Sequence, residues 1–479
     1  MQDNMNSIIK RIMGFSIGPV VSAALAFFIT PITTWIISPE ELGKASMYTL
    51  ALNLITMIIY LGLDQAFVRE YYAQKDKKNL LWNSFIIPLI LSIITGLSCF
   101  IFYEDISLIL FSEIDKTAIY LLGFSIPATL FHRYNLYIFR MEEKAKSYSL
   151  MQIAKKIFEL VFLLFFLFFI RKDFVGVISS QLIALLSITI ITVIYNKKWW
   201  FFKFKVNKQL LITLLKFGLP LVPASIFSWL LSSMDKVALR SWSTFYEIGL
   251  YTAAFKVANI LNIIQIAFSN FWIPTSFKWY ENKVPNEKFE KVNKTVSSVF
   301  TFLFSILVLS RNLIFLLFDQ KYSDASILVP FLLFIPIMYV LSETTVRGIG
   351  FARKTWYTVV ITLISGGINI LGNFILVPRI GSLGAAISTS ISYVVFFWLR
   401  TLFSRRLWFK FELNHFIVNI ILITVMSTST VLLNNSYLEL VFVGLIYLYN
   451  HKNLSFIFKA FYKFISTELI KRKKQIQGG

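Results

Sequence analysis

Long apolar runs broken by short polar stretches make up this chain from one end to the other. The runs fall at roughly 13–38, 46–66, 81–102, 118–139, 150–170, 175–195, 214–238, 249–275, 296–318, 326–347, 355–377, 382–403, 413–433 and 437–450. Most meet the requirement of about 20 apolar residues for a helix that spans a bilayer. No series of about 10-residue alternating units, the mark of a membrane β-barrel, is present. The pattern predicts an all-α polytopic membrane protein with about fourteen transmembrane helices. The last run is short, and a span continuing past His451 fits the sequence as well as one ending at 450.

The runs are not independent of one another. Between Lys216 and Tyr280 the chain reads KFGLP (216–220), MDK (234–236), EIGLY (247–251) and FWIP (271–274), which is two membrane-length segments in a tight hairpin. A fainter copy stands at GFSIGP (14–19), ELG (41–43) and GLD (62–64). Gly14 and Pro19 precede Gly218 and Pro223 by 204 residues, and Glu41 and Gly43 precede Glu247 and Gly249 by 206. A near-constant offset across two helices points to an internal duplication, the usual build of a secondary transporter. The expected organisation is a six-helix lobe at 1–205, a second at 206–410, two additional helices at 411–450 and a basic cytoplasmic tail at 451–479.

Composition agrees with a bilayer as solvent: 57% of the 479 residues are hydrophobic, 15% are charged, and 49 are Phe. The net charge of +22 taken alone suggests nucleic acid. Its placement does not, because Lys and Arg gather in every second loop, for instance at Lys75, Lys77 and Lys78, and again at Arg140, Lys144 and Lys146. The intervening loops are acidic or sparse, as with Glu104, Asp105, Glu113 and Asp115; Arg171, Lys172 and Arg379 are exceptions. By the positive-inside rule both termini are expected in the cytoplasm, and no nucleic-acid partner is expected. The tail reads either as an amphipathic helix on the anionic inner leaflet or as a solvated charged segment that enforces topology. The single cysteine, Cys99, excludes a disulfide framework.

Charges within the apolar runs are the best pointers to function, because burying them in a membrane is costly. One group lies toward the inner side of the fourth and fifth runs: His132, Arg133, Lys155, Lys156 and Glu159. Lys155 and Glu159 are spaced i,i+4 and can offset each other, leaving surplus charge from Arg133 and Lys156. A cationic pocket of this kind suits a phosphate or diphosphate; snorkelling to the interface is the alternative for the two lysines. A second group is Asp235 and Lys256, at matching depths in the central hairpin and able to form an interhelical pair, structural or functional. The repeat offset places uncharged Ile29 to Pro31 and Leu50 at the corresponding positions. Lys236 and Arg240 read as interfacial. Arg311 suits either contact with departing substrate or anchoring of its helix. Asp64 with Arg69, and Glu343 with Arg347, are candidate gates or cation sites, or interfacial anchors. Chemical motifs are absent. No GxxxxGK[ST] loop occurs, and the three histidines lack metal spacing, so no catalytic residue, metal or cofactor is expected. Glu104-Asp105 is similar to the acidic pair of lipid-sugar-dependent membrane glycosyltransferases, though no large outer loop accompanies it.

Several phrases together resemble the Wzx-type polysaccharide flippases of the multidrug/oligosaccharidyl-lipid/polysaccharide exporter superfamily. They are SPEELGKASMYTLALNLITMIIYLGLDQAFVREYY (38–72), KFGLPLVPASIFSWLLSSMDKVAL (216–239), YEIGLYTAAFKVANIL (246–261) and FSNFWIP (268–274), with LVPFLLFIPIMYVLSETTVRGIGFARKT (328–355) and LVPRIGSLGAAISTSISYVV (376–395). The resemblance covers roughly residues 8–450 and rests on order and spacing. It implies a two-lobe core of twelve helices with two more added. It also implies that undecaprenyl-diphosphate-linked oligosaccharide moves to the outer leaflet through a central cationic cavity. The family's intramembrane charges match Asp235, Lys236, Lys256 and Arg133. The implied partners are that lipid-linked substrate, membrane lipids, and the polymerase and chain-length regulator of a surface-polysaccharide pathway such as O-antigen or capsule. The candidate substrate-binding residues are therefore Arg133, Lys155, Lys156, Lys256 and Arg311, and the candidate gating or ion-coupling residues Asp64, Asp235 and Glu343. A drug or lipid II exporter of the same superfamily, or a membrane polymerase or glycosyltransferase, are the alternatives.

Overall fold

The computed structural model of the chain describes residues 2–455 apart from Lys203, Thr355 and Asn434, with side chains from Ile17 onward except Leu231. Residues 456–479, most of the basic tail, lie outside the described residues. The regular structure described is helical throughout, and ten helices are long and apolar enough to cross a membrane. The protein is an all-α polytopic membrane protein. Two compact units make it up, the first formed by Met1–Ala253 with Phe318–Tyr322, the second by Ala254–Leu317 with Ser323–Gly479.

The first unit runs through α1 (Gln2–Thr34), α2 (Pro39–Ile59), α3 (Leu63–Glu70), α4 (Lys77–Ile101), α5 (Tyr103–Phe111), α6 (Lys116–Met141), α7 (Ala145–Phe169), α8 (Phe174–Tyr195), α9 (Lys197–Trp200), α10 (Lys208–Gly218) and α11 (Leu221–Trp242). It also takes in the start of α12 (Phe245–Glu281). Loop acids start its helices. Asp76, Asp115 and Asp173 are the N-caps of α4, α6 and α8, each accepting from a backbone N–H three residues on at 2.8–3.1 Å. The acidic loop that carries Glu104, Asp105, Glu113 and Asp115 is largely helical, as α5. Inside the unit α1 packs on α7, α7 on α8, and α6 on both α4 and α8.

In the first unit two of the predicted spans are broken. The second ends at Ile59, turns through Leu61 (φ 49°) and Gly62 (φ 68°), and restarts as α3. Only glycine takes the second of these conformations without strain. The seventh span divides between α10 and α11 at Leu219–Pro220, and there Gly218 lies directly against Gly62, so that the two breaks meet. Residues related by the 206-residue spacing meet in space. A Cβ on Gly43 would overlap the carbonyl oxygen of Phe245, and one on Gly249 would overlap that of Pro39. Both pairs are related by the 206-residue offset, and so are Ser46 and Thr252, whose hydroxyls hydrogen-bond at 3.0 Å. The contact is reciprocal.

The second unit continues α12 and adds α13 (Asn286–Phe315), a 3-10 turn at Gln320–Leu328, α14 (Val329–Leu332), α15 (Phe334–Thr345), α16 (Arg347–Phe351), α17 (Trp356–Leu407), α18 (Asn414–Leu433) and α19 (436–455). The runs at 355–377 and 382–403 flank a break inside α17 at Ile380 and Gly381 (φ 52°, ψ −132°). α15 packs on α13 and α17, and α18 packs on α13.

Candidate functional site

The break after α2 brings Asp64 into the first turn of α3, where it is 2% exposed. Its Oδ2 accepts from Nε of Arg133 at 3.0 Å, from Nη2 at 2.8 Å, and from the Tyr137 hydroxyl at 3.0 Å. The guanidinium lies over the rings of Tyr60 (4.7 Å) and Tyr137 (5.5 Å). The Arg133 side chain nevertheless remains 45% exposed. One edge of the guanidinium is pinned by a buried carboxylate while the side chain as a whole stays half exposed. Arg69, expected as the partner of Asp64, is exposed. Five residues along a helix is a rotation of about 140°, which carries the two side chains to different faces. Arg133 reaches in from α6 instead.

On α7, Lys155 Nζ stands 3.9 Å from Glu159 Oε1, and Lys156 hydrogen-bonds Glu159 Oε2. Two half-buried lysines share one carboxylate, so a net positive charge remains on this face. Lys155 is also within electrostatic reach of the buried His132. Successive residues on α6 are turned by about 100°. His132 and Arg133 therefore lie on two adjacent faces of one helix, the first buried and the second turned to Asp64.

In the hairpin, Asp235 accepts a 2.5 Å hydrogen bond from the Tyr251 hydroxyl. Lys236 donates to Ser46 Oγ at 2.6 Å, joining the hydroxyl pair of the reciprocal contact. Arg240 donates to the carbonyls of Leu108 and Leu110 and so caps the end of α5. Lys256 lies on α12 beyond the division, within the second unit.

The second unit holds two buried ionic clusters. Glu343 pairs with Arg347 at 2.5 Å, as the i,i+4 spacing predicts, and also with Arg400 at 3.0 Å. Arg400 further donates to Ser342 Oγ at 2.6 Å and lies over the ring of Phe396 at 4.8 Å. Two arginines thus converge on one carboxylate in the interior. Arg311 pairs with Glu439 at 2.5 Å with both side chains 1% exposed, and Thr430 donates to the same carboxylate at 3.2 Å. This cluster ties α13 to α18 and α19. Reasoning from the sequence missed Arg400, Glu439 and the two tyrosines around Arg133. It also missed a buried amide and hydroxyl group within α17, in which Asn369 donates to Thr389 at 3.0 Å and Asn373 to Asn369 at 3.2 Å. The i,i+4 pair of asparagines in an otherwise apolar run was the available signal.

Fold and charges together define a polytopic helical membrane protein in which intramembrane arginines and lysines are held by carboxylates. The chain belongs to the family of polysaccharide biosynthesis proteins, whose model matches residues 9–279. It is 24% identical over 333 residues to an uncharacterised membrane protein of Methanocaldococcus jannaschii, covering 64% of each chain. It is 23% identical over 279 residues to one of Haemophilus influenzae, covering 57% of this chain and 66% of the relative. The chain thus spans just under two thirds of the length of these curated relatives. Its fold is similar to that of the lipid II flippase MurJ in an inward closed conformation, with a TM-score of 0.71 at 17% identity over 94% of this chain and 99% of that one. An inward-facing multidrug resistance transporter of the MATE family gives a TM-score of 0.58 at 18% identity over 81% and 94%.

Proposed function

We propose that this chain is a flippase that carries an undecaprenyl-diphosphate-linked oligosaccharide from the cytoplasmic to the outer leaflet of a bacterial cytoplasmic membrane. In this reading it crosses about fourteen times with both termini cytoplasmic. It has repeated halves at 1–205 and 206–410, and serves the assembly of a surface polysaccharide alongside a polymerase and a chain-length regulator. The observation that carries the reading is the half-exposed guanidinium of Arg133, aimed by buried Asp64 within a member of a polysaccharide biosynthesis family. A guanidinium fixed on one edge is preorganised to give charge-assisted hydrogen bonds to a diphosphate from the other. Lys155 and Lys156 add long-range attraction from α7, and Lys256 is a further proposed substrate-binding residue. The oligosaccharide needs no covalent chemistry from the protein, which acts as a transporter rather than an enzyme. Asp64, Asp235 and Glu343 are the proposed gating or ion-coupling groups, since each carboxylate holds a partner that an alternating-access cycle can release.

The test is the position of the lipid-linked intermediate in cells lacking this chain, read with a membrane-impermeant sugar-modifying reagent. Complete oligosaccharide–lipid trapped on the cytoplasmic face supports the flippase. Single units accumulating on the outer face would point to a polymerase. In inverted vesicles, Arg133→Ala and Lys156→Ala should each slow transport, and full activity in both would remove the diphosphate assignment. The likeness to a lipid II flippase over nearly the whole chain favours a second reading, with lipid II as the cargo. Under that reading lipid II, not an oligosaccharide repeat unit, accumulates on deletion.

A further inference from the structure

At the end of the first unit where α3 gives way to α4 and α6 to α7, a cleft of about 940 Å³ opens. Lys75, Lys77 and Lys78 line it. Asp76, Glu142, Glu143 and Lys144 line it too. Asp76 caps α4, accepting from the Asn79 N–H at 3.1 Å, while Glu142 takes Lys144 at 2.7 Å and the Trp199 indole N–H at 3.1 Å. Among the described residues none of the three lysines has a carboxylate within ion-pair distance. Lys77 sits over the Tyr71 ring at 4.6 Å and Lys78 over that of Phe202 at 5.6 Å, while Lys75 touches no polar partner. Three lysines thus stand in one cleft without an ion pair to its carboxylates, so salt bridging within the fold does not account for them.

The second unit shows what packing alone asks of this corner. Tyr71 and Trp199 stand 209 residues before Tyr280 and Trp408, close to the offset of the repeat. There the cleft is about 490 Å³, and Tyr280 stacks on Phe351 at 4.1 Å while Trp408 meets Phe289 at 4.7 Å. That smaller cleft carries one lysine, Lys283, where the first unit's carries four. The fold does not need the lysines.

We propose that this cleft binds the phosphate of an anionic phospholipid headgroup. The depth fits a headgroup, because exposed Tyr72 and Phe201 mark this end of the unit as an interfacial aromatic rim. Tyr195, which lies beneath Lys144, continues into exposed Ile194, Ile191 and Ile190 on α8, an apolar strip along which an acyl chain can lie. The proposed topology puts this loop on the inner leaflet, the side where anionic lipid attracts juxtamembrane lysines. The site is separate from Arg133 and stands whether or not the cargo assignment does.

The test uses the full-length protein in neutral detergent, with thermal unfolding followed through its 11 tryptophans. Short-chain phosphatidylglycerol, phosphatidylcholine of the same chain length, and sodium diphosphate are titrated separately. Phosphatidylglycerol is expected to raise the midpoint saturably and the other two are not. Lys75→Gln removes no described contact, so it should leave folding intact while weakening the response about fivefold, the change expected for one juxtamembrane lysine. The triple variant Lys75→Gln, Lys77→Gln, Lys78→Gln should lose at least about tenfold, and Lys283→Gln in the second unit's cleft should lose nothing. An equal response to phosphatidylcholine, or unchanged binding in Lys75→Gln and the triple variant, overturns the site. A full response to diphosphate alone overturns the assignment to lipid.

Discussion

Arg133 owes its orientation to a carboxylate that the sequence places in a different span, and the two depend on each other unequally. Asp64 is buried, so Arg133→Ala leaves it with the Tyr137 hydroxyl and no counter-charge. The expected loss is about 2–3 kcal/mol, below the usual figure for breaking a buried pair because the arginine is half exposed. Asp64→Asn keeps the shape but releases the guanidinium, so transport should fall further than stability does; comparing initial rates with unfolding midpoints separates the two. Glu343 is the opposite case, one carboxylate between two buried arginines. Glu343→Gln leaves Arg347 and Arg400 facing each other uncompensated and should cost about 3–5 kcal/mol. Arg400→Ala should cost less, since Glu343 keeps Arg347. If Arg400→Ala proves the more damaging of the two in thermal unfolding, the charge accounting at this cluster is wrong.

At the scale of elements, the helices were legible but their interruptions were not. Apolar length located the second and seventh runs, yet nothing in GLD or KFGLP says that both break and that the breaks touch. The reciprocal contact of Gly43 and Gly249 makes a sharper claim. Each glycine admits the carbonyl of the other's repeat, so Gly43→Ala and Gly249→Ala should destabilise by similar amounts, about 1–3 kcal/mol each, through overpacking. Strongly unequal losses in unfolding midpoint would mean that the symmetry of the contact is not shared by its energetics. Helices α13, α18 and α19 are joined by a different device, the Arg311–Glu439 pair. Glu439 was missed in the sequence because its partner lies 128 residues away.

For the whole molecule, the claim most open to test is topology. Cys99 is the single cysteine and is 2% exposed in α4, so a Cys99→Ser background is a mild change on which to place new thiols. In intact cells, Glu143→Cys should react with an impermeant maleimide only after permeabilisation, and Lys172→Cys should react from outside. The reverse pattern would invert the chain and move the lysine cleft of the first unit to the outer leaflet.

What the sequence by itself determined was whatever is local or periodic: helices long enough for a bilayer, matching phrases at a spacing of 204–206 residues, charge alternating from loop to loop, and i,i+4 pairs such as Lys155 with Glu159 and Glu343 with Arg347. These follow from backbone geometry and from the cost of water-loving groups in hydrocarbon, and they need no knowledge of neighbours. Only the tertiary structure decided which charges meet across helices: Asp64 with Arg133 rather than Arg69, Arg400 with Glu343, and Glu439 with Arg311. A charge held in the membrane takes the opposite charge on whichever helix packs beside it, and helix neighbours are set by small-residue contacts and backbone breaks dispersed along the chain.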